Sequence, residues 1–159
     1  MTHEIETVRD LLAQSRVFTG LPDAVLDELA GCGTLAVFAG GAAMFHTGQP
    51  AGTFQVIRHG RVSIEMAAPG REPIIVATRG EGEAVGWSWL FEPYRWHFDA
   101  IALEPTRVIS LDGECLRGKA ARDHELGYEL MSRFADLAIR DLELTELQLL
   151  DVYGHVASH

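Results

Sequence analysis

GEAVGWSWL, residues 82–90, followed by FEPYRWHFDA, residues 91–100, is the stretch of sequence that decides the fold. Its glycines predict a tight turn that leads into a short apolar helix and then back into a strand. Such a turn aims backbone N–H groups and a helix N-terminus at one point, which is how proteins hold phosphate. A Gly-x-x-x-Gly turn alone is weak evidence, and its position behind five predicted strands gives it weight.

Short apolar runs divided by glycine and proline lie on both sides of this stretch, as is typical of strands joined by tight turns. The predicted strands are residues 35–38, 43–46, 54–58, 62–66, 74–78, 99–103 and 107–111. So many short, closely spaced strands predict a sandwich, a jelly roll or a barrel. The fold class is therefore mostly β with flanking helices.

Segments with helical periodicity precede and follow these strands. Residues 2–14 predict an amphipathic helix, Pro22 opens a second helix, residues 114–121 form a third, and a long helix covers about 125–152. The length of the chain fits a single domain. We expect an N-terminal helix within residues 1–15, one domain over residues 16–152 and a disordered tail over residues 153–159.

Two apolar stripes cover the long helix. Leu130, Phe134, Leu137 and Leu144 form one stripe, which is suited to dock on the strands. The other stripe alternates spacings of four and three, the pattern of a coiled-coil seam. Its members are Met131, Ala135, Ala138, Leu142, Thr145, Leu149 and Val152. We expect this seam to form a homodimer; the alternative is that both stripes pack within one domain.

Charge and cysteine content exclude several classes of protein. The 13 basic and 23 acidic residues give a net charge of -10, which argues against a surface that binds nucleic acid or anionic lipid. No apolar run approaches the ~20 residues of a membrane span, and no signal peptide is predicted. Cys32 and Cys115 lack a CxxC neighbour, so we expect two free thiols in a reducing compartment and a cytoplasmic protein.

Four stretches resemble the cyclic nucleotide-binding domain of catabolite-activator-type regulators. FTGLP (18–22) is similar to its opening helix, GAAMFHTG (41–48) and FQVIRHGRV (54–62) to its hairpins, and GEAVG (82–86) to the start of its phosphate-binding cassette, residues 82–98 here. The resemblance covers roughly residues 16–150 and implies an antiparallel β-roll of the jelly-roll type in a regulatory ligand sensor. Only seven residues follow Val152, too few for the family's helix-turn-helix, so we expect a stand-alone form that does not bind DNA.

The residues that would bind the ligand depart from the family pattern. The resemblance places Trp87 where the family usually has the Glu that binds the ribose 2′-hydroxyl, and Trp96 where it has the phosphate-binding Arg. His97 replaces the small residue that follows this Arg. Loss of the carboxylate and the guanidinium removes the charge-assisted contacts of the usual binding mode. The cassette is therefore expected to be degenerate.

Three interpretations of the cassette remain open. The pocket candidates are Gly86, Trp87, Ser88, Arg95, Trp96 and His97. The aromatic side chains could form a pocket for a non-standard small ligand, anionic or aromatic. Alternatively, Arg95 serves the phosphate of a cyclic nucleotide of the cAMP type. In the third interpretation the pocket is vestigial and the domain is a scaffold that docks on a protein partner.

No catalytic arrangement accompanies these motifs. A comparison with cupin metal enzymes leaves His46 as a single ligand where three or four are needed. The other histidines are dispersed, and no Ser/His/Asp or Cys/His arrangement has a suggestive context. We expect no enzymatic activity, no metal and no resident cofactor.

Leu142→Asp tests the homodimer. The change places two like charges in a dry seam, where their desolvation should outweigh the remaining apolar contacts. We expect the wild type to sediment at twice the monomer mass and the variant at the monomer mass. A wild type that sediments as a monomer at high micromolar concentration would contradict the dimer.

Overall fold

The computed structural model describes residues 6–157 and shows an antiparallel β-roll flanked by helices. The helices are α1 Val8–Gln14, α2 Asp23–Ala30, α3 Gly113–Arg122 and α4 His124–Ala157. The strands are β1 Gly33–Phe38, β2 Ala43–Phe45, β3 Thr53–His59, β4 Val62–Met66, β5 Ile74–Arg79, β6 Ala84–Val85, β7 Asp99–Ala102 and β8 Thr106–Asp112. They form two four-stranded sheets, with strand orders β1-β8-β3-β6 and β2-β7-β4-β5.

The predicted β-roll and its strands are confirmed. All seven predicted strands are present, and their ends lie within two residues of the expected positions. Sequence reasoning missed β6, whose two residues pair with Gln55 and Val56 of β3. A strand of this length carries no alternation of apolar and polar residues that could reveal it.

The helices differ from the expectation at both ends of the chain. Residues 2–5 of the predicted first helix lie outside the described residues, and α1 begins only after Thr7. The Thr7 hydroxyl accepts the Asp10 N–H at 3.2 Å and the Asp10 carboxylate accepts the Thr7 N–H at 3.0 Å, which forms a capping box. At the other end α4 continues to Ala157, so the disordered tail is wrong for residues 153–157. A lone Gly154 costs a helix only about 1 kcal/mol, too little to end it.

Phe54 of β3 is the centre of the core. Its ring lies 6.2 Å from that of Phe18, 5.7 Å from Trp87, 5.6 Å from Trp89 and 4.9 Å from Phe134, measured between centroids. These four side chains come from the segment between α1 and α2, from the cassette and from α4. One buried ring therefore joins the N-terminal helices, the cassette and the C-terminal helix.

Only part of the apolar stripe predicted to dock on the strands does so. Leu130 and Phe134 are buried, whereas Leu144 is 57% exposed. The last direct link described between α4 and the roll is the ion pair of Asp141 with Arg79 of β5, at 3.0 Å. Beyond Asp141 the helix extends past the body of the domain, and its apolar side chains have no strand to cover.

The expectation of two free thiols is wrong, because Cys32 and Cys115 form a disulfide with a Cα–Cα distance of 5.7 Å. The two cysteines are 83 residues apart in sequence, so no local spacing could indicate the bond. Pairing of β1 with β8 places Gly33 opposite Leu111 and brings the flanking cysteines together. The argument from free thiols for a reducing compartment loses its basis.

Two kinds of feature are absent from residues 6–157. None of the helices described there combines the length and the apolar character of a membrane span. Within the same residues, no three His, Cys, Asp or Glu side chains are grouped closely enough to hold a metal ion.

Phe54→Ala should cost about 3–5 kcal/mol of unfolding free energy, because it removes the ring that joins four aromatic neighbours. Val37→Ala is the matched control, since Val37 is also in the first sheet but is 71% exposed, and it should change stability by less than about 0.5 kcal/mol. Urea unfolding followed by circular dichroism measures both variants. Equal losses in the two variants would contradict the central role of Phe54.

Candidate ligand-binding site

The cassette contains no helix, which corrects the expectation of a short apolar helix after Gly86. Two single turns take its place, closed by the Leu90 N–H on the Trp87 carbonyl at 3.1 Å and the Tyr94 N–H on the Phe91 carbonyl at 2.9 Å. Trp89 lies in the first of these turns, and its side chain is buried in the core. A helix N-terminus, the feature that would attract phosphate, is therefore missing from this segment.

Trp96 occupies the space in front of Gly86. The backbone of Gly86 is left-handed, with φ of +87°, and a Cβ added there would lie 2.3 Å from Cζ3 of the Trp96 ring. The Phe45 ring of β2 stacks on the Trp96 ring system, at 3.7 Å between centroids and 8° between planes. Trp96 is only 5% exposed. The indole thus fills the space at the cassette turn, at the position where the family resemblance places the phosphate-binding Arg.

Backbone hydrogen bonds hold Trp96 in this position. Its N–H donates to the Gln49 carbonyl at 3.0 Å, and its carbonyl accepts the Gly48 N–H at 2.8 Å. The neighbouring Arg95 is exposed and donates from one guanidinium nitrogen to the Gly48 carbonyl at 2.9 Å. Arg95 therefore stabilises the loop between β2 and β3 at the surface.

Trp87 faces a different space. It is half-buried, contacts the rings of Phe54 and Phe134, and lines a cleft of about 570 Å³ between the β5–β6 turn, residues 16–17 and α4. Ser88, Arg95, Trp96 and His97 do not line this cleft. The structure therefore separates the predicted pocket residues into a filled cassette around Trp96 and an open cleft beside Trp87.

The cleft carries both signs of charge in equal number. Its walls contain four arginines and four acidic residues, of which Arg79 pairs with Asp141 at 3.0 Å and Arg140 with Asp136 at 3.1 Å. Arg133 donates to the Val17 carbonyl at 3.2 Å, and its Nε is buried with no partner. Because the charges balance, the cleft suits a small ligand with both polar and aromatic parts better than a free anion.

Sequence reasoning missed three of the residues that shape these two spaces. Phe45 lies in the GAAMFHTG motif, but nothing in the sequence pairs it with Trp96. Arg79 and Asp141 are 62 residues apart and meet only because α4 returns across the roll. Their ion pair had no detectable sequence signal.

The residues predicted for the dimer seam lie on one exposed side of α4. Met131 is 39% exposed, Leu142 57% and Leu149 53%, and Ala135, Ala138 and Val152 are exposed as well. Ile139 and Tyr153 add further exposed apolar surface that the sequence pattern did not include. The stripe is therefore available to a partner, as a seam requires.

Comparison with known families gives one match over more than half of the chain. The model of the cyclic nucleotide-binding domain matches residues 35–123, which run from β1 through the cassette to the start of α4.

Individual relatives agree with this match. CRP-like cAMP-activated global transcriptional regulators from two strains of Mycobacterium tuberculosis are 26% identical over 149 residues, which cover 93% of this chain and 66% of the relative. This chain thus spans just under two thirds of their length. A cyclic nucleotide-binding domain from Methylobacillus flagellatus superposes with a TM-score of 0.76 at 16% identity, over 90% of this chain and 80% of that one. The N-terminal domain of a transcriptional regulator from Streptomyces coelicolor gives a TM-score of 0.68 at 23% identity, over 86% and 95%.

Gly86→Ala should destabilise the protein by about 2 kcal/mol more than Gly41→Ala. Both glycines have φ of +87°, but a Cβ at Gly41 meets nothing within 4 Å whereas a Cβ at Gly86 meets the Trp96 ring. The matched pair separates the cost of the left-handed backbone from the cost of the clash. Urea unfolding measures both, and repeating Gly86→Ala in a Trp96→Ala background should remove the difference. Equal costs in the wild-type background would contradict the position of Trp96.

Proposed function

This chain belongs to the cyclic nucleotide-binding domain family, and we propose that it is a non-catalytic regulatory module that does not bind cyclic nucleotide in the family's usual way. The family is one of regulatory sensors related to CRP. The proposal rests on one observation: the Trp96 indole, 5% exposed and stacked on Phe45, stands against Gly86 where phosphate would need a cation. A buried phosphate without a cationic partner is costly, so the filled cassette disfavours such a ligand.

The space beside Trp87 is the better candidate for a small ligand. It is of ligand size, at about 570 Å³, and it borders both the cassette and α4. A ligand that stacked on Trp87 would contact the Arg79–Asp141 pair that joins α4 to the roll. Binding there would therefore act on the position of α4. Protein docking onto a domain with a vestigial pocket is the second candidate, and closure of the cassette by Trp96 favours it.

We propose that the domain acts as a homodimer, formed by the exposed stripe of α4. The transcriptional regulators from M. tuberculosis are cAMP-activated, but that activity is theirs. This chain has Trp87 and Trp96 where the family resemblance places the cassette carboxylate and guanidinium, which supports a ligand other than cAMP. Its net charge of -10 disfavours direct contact of this domain with DNA.

Thermal unfolding with cAMP, cGMP and cyclic dinucleotides at millimolar concentration tests the closed cassette. A ligand at a hundred times its dissociation constant adds about 2.7 kcal/mol of stability, which is several degrees for a domain of this size. We expect a shift below about 1 °C for each nucleotide, a limit well under that effect. A shift of several degrees with cAMP would show that Arg95 or another cation reaches the phosphate.

The double variant Trp87→Glu/Trp96→Arg tests whether cAMP binding can be restored. It supplies the carboxylate and the guanidinium that the family resemblance places at these positions and removes the indole from Gly86. We expect cAMP to raise the melting temperature of this variant by several degrees. Trp87→Gln/Trp96→Met is the control, because it opens the same space without charge and should not respond. An equal response of both variants would show that space alone, and not charge, limits binding.

A further inference from the structure

The Cys32–Cys115 disulfide lies where two helices meet. Cys32 directly follows the turn that ends α2, and Cys115 lies in the first turn of α3. The bond therefore ties the end of the N-terminal helical pair to the helix that leads into α4. It closes a loop with a sequence separation of 83, which includes the whole roll.

Two hydrogen bonds cross this junction beside the disulfide. The Lys119 ammonium donates to the Glu28 carbonyl at 2.5 Å, and the Asp112 N–H donates to the Cys32 carbonyl at 2.8 Å. Leu29 of α2 and Leu116 of α3 are buried in the core, at 0% and 1% exposed. Leu29 and Leu116 belong to one apolar core, and polar groups and one covalent bond add to the link between α2 and α3.

Two carboxylates oppose this link. Partial removal from water and the neighbouring Asp123 carboxylate raise the pKa of Glu28, although Lys119 and Arg122 act in the other direction. Asp123 also begins α4, because its carboxylate accepts the N–H groups of Glu125 at 3.1 Å and Leu126 at 3.3 Å. When both carboxylates are ionised they repel each other. Opening of the disulfide would therefore let α2 separate from the corner at which α4 starts.

We propose that Cys32–Cys115 is a thiol-exchange site, and that its reduction by a dithiol releases the end of α2 from the α3–α4 corner while the β-roll stays folded. The two cysteine residues are not equally exposed: Cys32 is 6% exposed, whereas Cys115 is half-buried. Attack is therefore directed to the sulfur of Cys115.

The exchange proceeds in two balanced steps. A thiolate of the dithiol attacks Sγ of Cys115, the protein S–S bond breaks, and the sulfur of Cys32 leaves as a thiolate that takes up a proton. The second thiol of the reductant loses its proton and attacks the reductant sulfur that is bonded to Cys115. The S–S bond of the mixed disulfide breaks, and Cys115 leaves as a thiolate that takes up a proton. Two electrons and two protons pass to the protein, and the reductant becomes a cyclic disulfide.

A helix N-terminus and an acidic N-cap lie beside the more exposed partner of the disulfide. Cys115 is in the first turn of the ten-residue helix α3, where the helix dipole stabilises an anion, although the Asp112 carboxylate at the N-cap opposes this effect.

Hydrogen exchange measured by mass spectrometry, on oxidised protein and on protein reduced with dithiothreitol, tests this proposal. We expect reduction to speed amide exchange about tenfold or more in residues 27–33 and 113–126, and less than about twofold in β3 and β8. Reoxidation with glutathione disulfide should restore the slow exchange. Cys32→Ala/Cys115→Ala should show the fast exchange with or without dithiothreitol.

Three results would overturn the proposal. Titration of two free thiols in protein prepared without reductant would show that the bond does not form. A bond that survives millimolar dithiothreitol in the folded protein, or that opens with no change in exchange, would show an inert crosslink. Faster exchange throughout the chain, including β3 and β8, would show that the bond only stabilises the fold as a whole.

Discussion

The packing of four aromatic rings around Phe54 is the constraint on which the rest of the structure depends. Phe54 is fully buried in β3, and its neighbours belong to the N-terminal segment, the cassette and α4. A cassette bound to this cluster through Trp87 and Trp89 cannot change shape without moving α4, since Phe134 contacts both indoles at 5.5 and 5.4 Å. The cassette and α4 therefore pack against each other through one aromatic cluster.

The proposed change of ligand is compatible with an intact cassette backbone, because main-chain atoms set the turn and side-chain atoms recognise the ligand. The left-handed Gly86 and the paired strands keep the turn in place through main-chain geometry. Recognition of phosphate and ribose depends on side-chain charges, which Trp87 and Trp96 do not have. Under the proposed function, side chains at these two positions set the ligand while the backbone keeps the fold.

The sequence predicts the architecture better than the site. Glycine spacing and alternating apolar residues are local signals, and they place seven of the eight strands and the exposed stripe of α4. The apolar composition after Gly86 predicted a helix that is absent, because burial of Trp89 and Trp96 overrides local propensity. The Phe45–Trp96 stack, the Arg79–Asp141 pair and the disulfide join residues distant in sequence, so only the folded chain shows them.

The length of α4 makes it a lever arm. Its 34 residues span about 51 Å at the rise of an α-helix. Only residues 142–157, which follow the last described link at Asp141, can act in this way, and they span about 24 Å. A rotation of about 10° at Asp141 would move their far end by about 4 Å, a displacement that a partner can detect.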